Sequence, residues 1–152
     1  MLISPEEALE KYGPIVNGQW PRESEFCVKM LVHPTVAQCM INTVTGRPTK
    51  FIYCNRDIAP NLNQAFKNVA NRALYLELQS FDGCYSVRDV RGAPGRISAH
   101  AYALAIDVNA SSNRLRTRGA MSDALAQCFK DAGFKHGRDF DRCDPMHFTL
   151  GW

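Results

Sequence analysis

Arg88-Asp-Val-Arg91-Gly-Ala-Pro-Gly-Arg96-Ile-Ser98-Ala-His100-Ala-Tyr-Ala103-Leu-Ala105-Ile-Asp107, with the later segment Asp144-Pro145-Met146-His147-Phe148, decides how the rest of the chain is read. The two pieces bring together two imidazoles and a carboxylate. These donor types supply three protein ligands to a catalytic zinc and leave the fourth tetrahedral position for water. Asp144 stands one turn before His147, where a general base for that water is needed. His100 and Asp107 lie an odd number of residues apart, so a straight strand would point them to opposite faces. Both reach one metal only if the chain between them turns, and the small residues Ala101, Ala103 and Ala105 make a tight turn feasible. Pro145 stiffens the link between Asp144 and His147. On spacing alone other readings stay open. His100 and His147 also fit hydrogen-bonded structural histidines, and Asp107 and Asp144 fit turn residues. Asp139 or Asp141 could stand in as the base. Cys143, four residues before His147, permits a separate structural zinc site.

The composition narrows the class. A chain of 152 residues suits one domain, 1–152, and is long enough to bury its own core. With 45% hydrophobic and 22% charged residues it reads as globular rather than disordered or fibrous. A net charge of +3 and a pI near 8.6 favour anionic partners without choosing among them. Nucleic acid is not expected, because the arginines near residues 114–118 lack interleaved exposed aromatics. No stretch approaches the roughly 18 apolar residues of a membrane span, so no stable membrane insertion is expected. The opening Met1-Leu-Ile-Ser-Pro-Glu-Glu lacks the basic region and apolar core of a signal peptide, so synthesis in the cytoplasm without standard export is expected. The six cysteines form no Cys-x-x-Cys and are expected as buried, reduced thiols.

Along the chain, Ser4, Pro5 and Glu7 set up a capped helix over residues 5–12, stopped by Gly13-Pro14. The apolar runs Phe26 to Val32, Val36 to Val44 and Phe51 to Cys54 read as short strands and loops. Asn61 to Leu78 carries Leu62, Phe66, Val69, Ala73 and Leu76 at helical spacing and predicts the main helix, packed on a sheet. Ser80 to Val90 and Ala103 to Val108 suit core strands. Ser122 caps a helix with the stripe Leu125, Cys128, Phe129 and Ala132, stopped by Gly133, and His147 to Leu150 returns as a final strand. The expected class is α+β, helices packed with short antiparallel strands. His33 and His136 are expected as structural or surface groups.

At these residues the chain resembles the zinc peptidase family of D-alanyl-D-alanine carboxypeptidases and L-alanyl-D-glutamate endopeptidases, especially its small phage-type endolysins. Their pattern is Ser-x-His-x-x-Gly-x-Ala-x-Asp followed later by Asp or Glu-x-x-His. Ser98, His100, Ala105, Asp107, Asp144 and His147 match it. The likeness extends upstream to Arg88-x-x-Arg91-Gly92 and downstream through Asn109, Gly133-Phe134, Gly137 and Phe148, over roughly residues 82–149. The resemblance implies His100, Asp107 and His147 as Zn2+ ligands and Asp144 as general base and later proton donor. It implies Arg88 as the arginine that binds substrate and steadies the oxyanion, with Arg91 the second candidate, and Ser98 at the substrate. It also implies the family's Hedgehog/DD-peptidase-like α+β fold, a small antiparallel sheet flanked by helices. Two departures stand out: Ala103 replaces the glycine between the first two ligands, and His136-Gly137-Arg138 replaces an aromatic-Gly-Gly element.

The expectation is therefore a monomeric zinc metallopeptidase acting on the peptide stem of peptidoglycan, at the L-Ala-D-Glu bond as in phage or prophage endolysins. The alternatives are D-Ala-D-Ala carboxypeptidase or dipeptidase activity, or a non-catalytic, zinc-stabilised binding module of the same fold. Reaching the cell wall without a signal sequence would require release through a membrane pore or delivery in a virion.

Overall fold

The computed structural model describes residues 2–152 and has the expected α+β architecture. Helix α1 (Pro5–Tyr12) begins as anticipated. The Ser4 hydroxyl accepts from the Glu7 N–H, the Glu7 carboxylate accepts from the Ser4 N–H, and Gly13 ends the helix at φ +80°. A single helical turn, α2 (Glu23–Phe26), leads into strand β1 (Cys27–Leu31). Where the apolar run Val36 to Val44 suggested strands, the chain instead makes helix α3 (Pro34–Cys39) before strand β2 (Ile41–Asn42). The reason is local. Pro34 has its φ preset for a first helical position, and His33 Nδ1 accepts from the Thr35 N–H at 3.2 Å, so a residue pair that looks like a break is a helix start.

Strands β3 (Arg47–Pro48) and β4 (Phe51–Asn55) follow, and β4 pairs antiparallel with β1 as a two-stranded sheet. Helix α4 (Ala59–Asn71) is shorter than its periodicity predicts. Ala73 takes a left-handed φ of +56°, and Leu76 is 70% exposed, so neither residue serves a buried helical stripe. Strand β5 is limited to Ser80–Gly83, because the chain beyond it leaves the sheet for the loop that carries Arg88. Strands β6 (Ala105–Val108), β7 (Lys135–His136) and β8 (His147–Thr149) complete a six-stranded sheet of order β3-β2-β5-β6-β8-β7. All its pairings are antiparallel except β2 with β5.

Helix α5 (Asp123–Lys130), capped by the Ser122 hydroxyl, packs on α4 rather than leaving α4 alone on the sheet. Asn68 and Asn61 on α4 donate to the carbonyls of Cys128 and Ala132 at 2.9 and 2.8 Å. On the sheet below, Phe148 is sandwiched between Phe129 of α5 and His136 of β7, each ring 4.3 Å away and nearly parallel. Side chains alternate across a strand, so the helical layer claims Ile106 and Phe148 and leaves their neighbours Asp107 and His147 on the other face.

An aromatic cluster anchors the N-terminal segment. Tyr12 meets Trp20 and Phe26 edge-on at 5.9 and 5.0 Å, and Trp20 Nε1 donates to the Tyr12 carbonyl. The Tyr102 hydroxyl donates to the Gly13 carbonyl at 2.8 Å, tying this cluster to the turn that contains His100. Among the described residues no helix is long and apolar enough to cross a membrane. All six cysteines are unpaired. Cys54, Cys84 and Cys128 are buried as expected, whereas Cys27, Cys39 and Cys143 are only partly covered.

Asp57, just before α4, accepts from the buried Tyr12 hydroxyl at 2.7 Å and pairs with Lys11 at 2.8 Å. Partial burial presses its carboxyl up, but the Lys11 and Tyr12 hydrogen bonds outweigh this and hold it below the usual carboxylate range. A depressed carboxylate stabilises the fold above its unfolded value, and that contribution is lost as pH falls through its folded value. Asp57→Asn is accordingly expected to lower unfolding free energy by about 1–2 kcal/mol at pH 7 in urea titrations. The gap to the parent should close as the titrations are repeated at progressively lower pH.

Candidate metal centre

The centre starts from a strand pair. Asp107 on β6 and His147 on β8 are direct cross-strand partners, so the antiparallel register alone places their side chains together on one face. His100 reaches the same point because the chain does turn after it. Ala99–Tyr102 forms a 3-10 turn, and Ala103 ends it in the left-handed conformation, φ +53° and ψ +38°. That conformation costs an L-residue about 1 kcal/mol or more, and its surroundings hold it. The Ala103 N–H donates to the His100 carbonyl at 3.0 Å, and the Ala103 carbonyl accepts from the Asn55 N–H at 3.1 Å. The Ser98 hydroxyl opens the turn by accepting from the His100 N–H.

The three side chains meet closely. His100 Nε2 lies 3.2 Å from His147 Nδ1 and 3.2 Å from Asp107 Oδ2, and His147 Nδ1 lies 3.1 Å from Asp107 Oδ1. The other His100 nitrogen, Nδ1, sits 2.7 Å from the Cys84 carbonyl, an acceptor, so Nδ1 carries a hydrogen and Nε2 is the atom turned inward. Two imidazole nitrogens and a carboxylate thus converge in a buried space, an arrangement that shared hydrogens or a cation at its centre satisfies. Zinc held at about 2.0–2.1 Å by tetrahedral N and O donors places those donors about 3.3 Å apart, close to what is found. His100, Asp107 and His147 are also the one group of potential ligands gathered within 4.8 Å among the described residues. Burial presses the Asp107 carboxyl up, yet the facing imidazoles outweigh it and hold the group far below the usual carboxylate range.

A cleft of about 320 Å³ opens over this cluster, and all seven residues singled out in the sequence line it: Arg88, Arg91, Ser98, His100, Asp107, Asp144 and His147. Asp144 Oδ1 is buried without a hydrogen-bond partner. Burial lifts the Asp144 carboxyl above its ordinary range, with His147 partly opposing and Asp107 adding to the rise. Arg88 is half-buried, whereas Arg91 and Arg96 stand exposed at the rim. Their loop is closed on itself by the Asp89–Ile97 bridge and by the Arg88 carbonyl accepting from the Ser98 N–H at 3.0 Å. Asp139 pairs with Lys130 at 3.1 Å and does not line the cleft, whereas Asp141, the other alternative base, lines it with Asp144. Cys143 donates to the Thr117 carbonyl and joins no ligand group.

Two residues noted in the sequence serve as supports whose contacts it did not reveal. His136 is buried, and its Nε2 lies 2.7 Å from the Pro145 carbonyl, holding the turn between Asp144 and His147. Gly137 accepts the Asp144 N–H at 2.8 Å so closely that a Cβ there would collide with the Asp144 carbonyl oxygen.

A family model described as D-alanyl-D-alanine carboxypeptidase matches residues 91–150, a span that includes His100, Asp107, Asp144 and His147 but not Arg88. No curated protein and no solved structure matches the chain.

Zinc at a thousandfold excess over its dissociation constant should stabilise the fold by about 4 kcal/mol, a rise of about 10 °C in Tm for a domain of this size. Scanning calorimetry should show this shift reversed by a chelator and absent in His147→Ala. Gly137→Ala is expected to destabilise the protein by about 1–3 kcal/mol through overpacking, and urea titration against the parent checks it.

Proposed function

We propose that this protein is a zinc-dependent peptidase that hydrolyses the peptide stem of peptidoglycan, at the L-Ala-D-Glu bond. The observation that carries the reading is the pairing, in one cleft, of an acceptor cluster suited to a cation with a buried carboxylate oxygen that has no partner, Asp144 Oδ1. A zinc ion bound by His100, Asp107 and His147 would polarise the scissile carbonyl and acidify a water molecule. Asp144 takes the proton of that water and returns it to the departing amine nitrogen. The half-buried Arg88 guanidinium meets the negative charge that develops on the carbonyl oxygen, where a fixed cation in a partly dry site is most effective. Ser98 and Arg91 line the same cleft as substrate contacts. The choice of bond follows the likeness to small phage-type enzymes. The description of the matching family model favours D-Ala-D-Ala cleavage as the second reading.

Turnover of defined muropeptides tests both. Zinc-loaded protein should release fragments cut after L-alanine, and release of free D-alanine would replace the first bond by the second. Asp144→Asn should lower kcat about 10²- to 10⁴-fold while keeping zinc content and the zinc-dependent Tm rise. Undiminished biological activity in that variant would instead point to a binding module.

A further inference from the structure

Four arginines line the cleft, Arg88, Arg91, Arg96 and Arg142, and among the described residues none of them pairs with a carboxylate. Arg142 differs from the others in how it is held. It is half-buried, on the loop that carries Asp144, and its guanidinium reaches the loop that carries Arg88, Arg91 and Arg96. Its guanidinium nitrogen lies 3.4 Å from where a Cβ would stand on Gly92, so the bare backbone there, at φ +74°, lets the charge rest against the arginine-bearing loop. Arg142 is near enough to bias the ionisation of both Arg88 and Asp144. Both guanidinium groups, of Arg88 and Arg142, are half-buried in one cleft and form no ion pair with a carboxylate among the described residues, so each has donors to offer an entering anion.

The proton path says where that anion belongs. Asp144 delivers a proton to the departing nitrogen, so the leaving residue must sit beside Asp144, and beside Asp144 stands Arg142. In both stem bonds considered above, the carbon attached to that nitrogen bears a free carboxylate: the α-carboxylate of D-glutamate, which continues through its side chain, or that of terminal D-alanine.

We propose that Arg142 is a specificity-determining residue that reads the free α-carboxylate of the leaving residue, so that the protein selects carboxylate-bearing stems over those in which this group is a carboxamide. The inference rests on the peptidase reading but is separable from it. The probes are the dipeptides L-alanyl-D-glutamate and L-alanyl-D-isoglutamine, titrated calorimetrically into the zinc-free chain, with kcat/KM for matching muropeptides measured on the zinc-loaded chain. The parent should prefer the carboxylate form about tenfold or more, as expected for a charge-assisted hydrogen bond in a partly buried site. In Arg142→Gln that ratio should fall to about twofold or less, with Tm unchanged. Arg96→Gln, at an exposed and screened site on the rim, should keep most of the preference. No preference in the parent, or a preference retained in Arg142→Gln, overturns the inference. Selective binding lost with Arg142 but no cleavage by the zinc-loaded chain leaves the inference standing and removes the peptidase reading.

Discussion

Three electron-pair donors are held together in a dry space, and this mutual crowding is the constraint on which the rest of the site depends. His100, Asp107 and His147 approach one another to within 3.2 Å, a crowding that holds only with a shared hydrogen or a cation among them. The fold maintains the crowding by two devices of different kinds. Asp107 and His147 are joined by strand register, the most rigid relation available between distant residues. His100 is joined to them by a turn whose last residue, Ala103, is in a strained conformation fixed by hydrogen bonds from both directions.

The halves of the chain divide this labour. The segment matched by the family model contains His100, Asp107, His147 and Asp144, but the segment before it completes their setting. Cys84 fixes the His100 ring through its carbonyl, Asn55 holds Ala103, and the Tyr12–Trp20–Phe26 cluster is tied to the same turn through Tyr102. On the other side of the sheet, the Phe129–Phe148–His136 stack connects the helical layer to the loop of Asp144, because His136 both packs on Phe148 and holds the Pro145 carbonyl. A side chain that looked incidental in the sequence therefore links core packing to the placement of Asp144.

The need for a turn between His100 and Asp107, the α1 cap and the α5 cap are carried by residue type and spacing. The donor set, Asp144 and the arginine loop were singled out by the family resemblance, which spacing alone left open. What could not be read lies in the backbone. The Cys84 carbonyl and the close approach at Gly137 depend on atoms that every residue possesses. Helix α3 was missed because Pro34 is equally a breaker and a first helical residue, and only its flanking hydrogen bond decides which. Helix α4 was overextended because Ala73 and Leu76 keep the helical period past Asn71 although one is in a left-handed turn and the other faces solvent. Arg142 drew no notice, since an arginine has meaning only once its neighbours are known.

The alternation of side chains along β6 has a consequence for how such a protein can change over generations. Ile106 and Asp107 point to opposite faces, one into the helical layer and one into the cleft. Loss or gain of a single residue between Ala103 and Asp107 would exchange them, driving a carboxylate against Phe129 and an isoleucine among the imidazoles. A residue gained or lost in a loop outside the strands leaves untouched the parity on which the donor cluster stands.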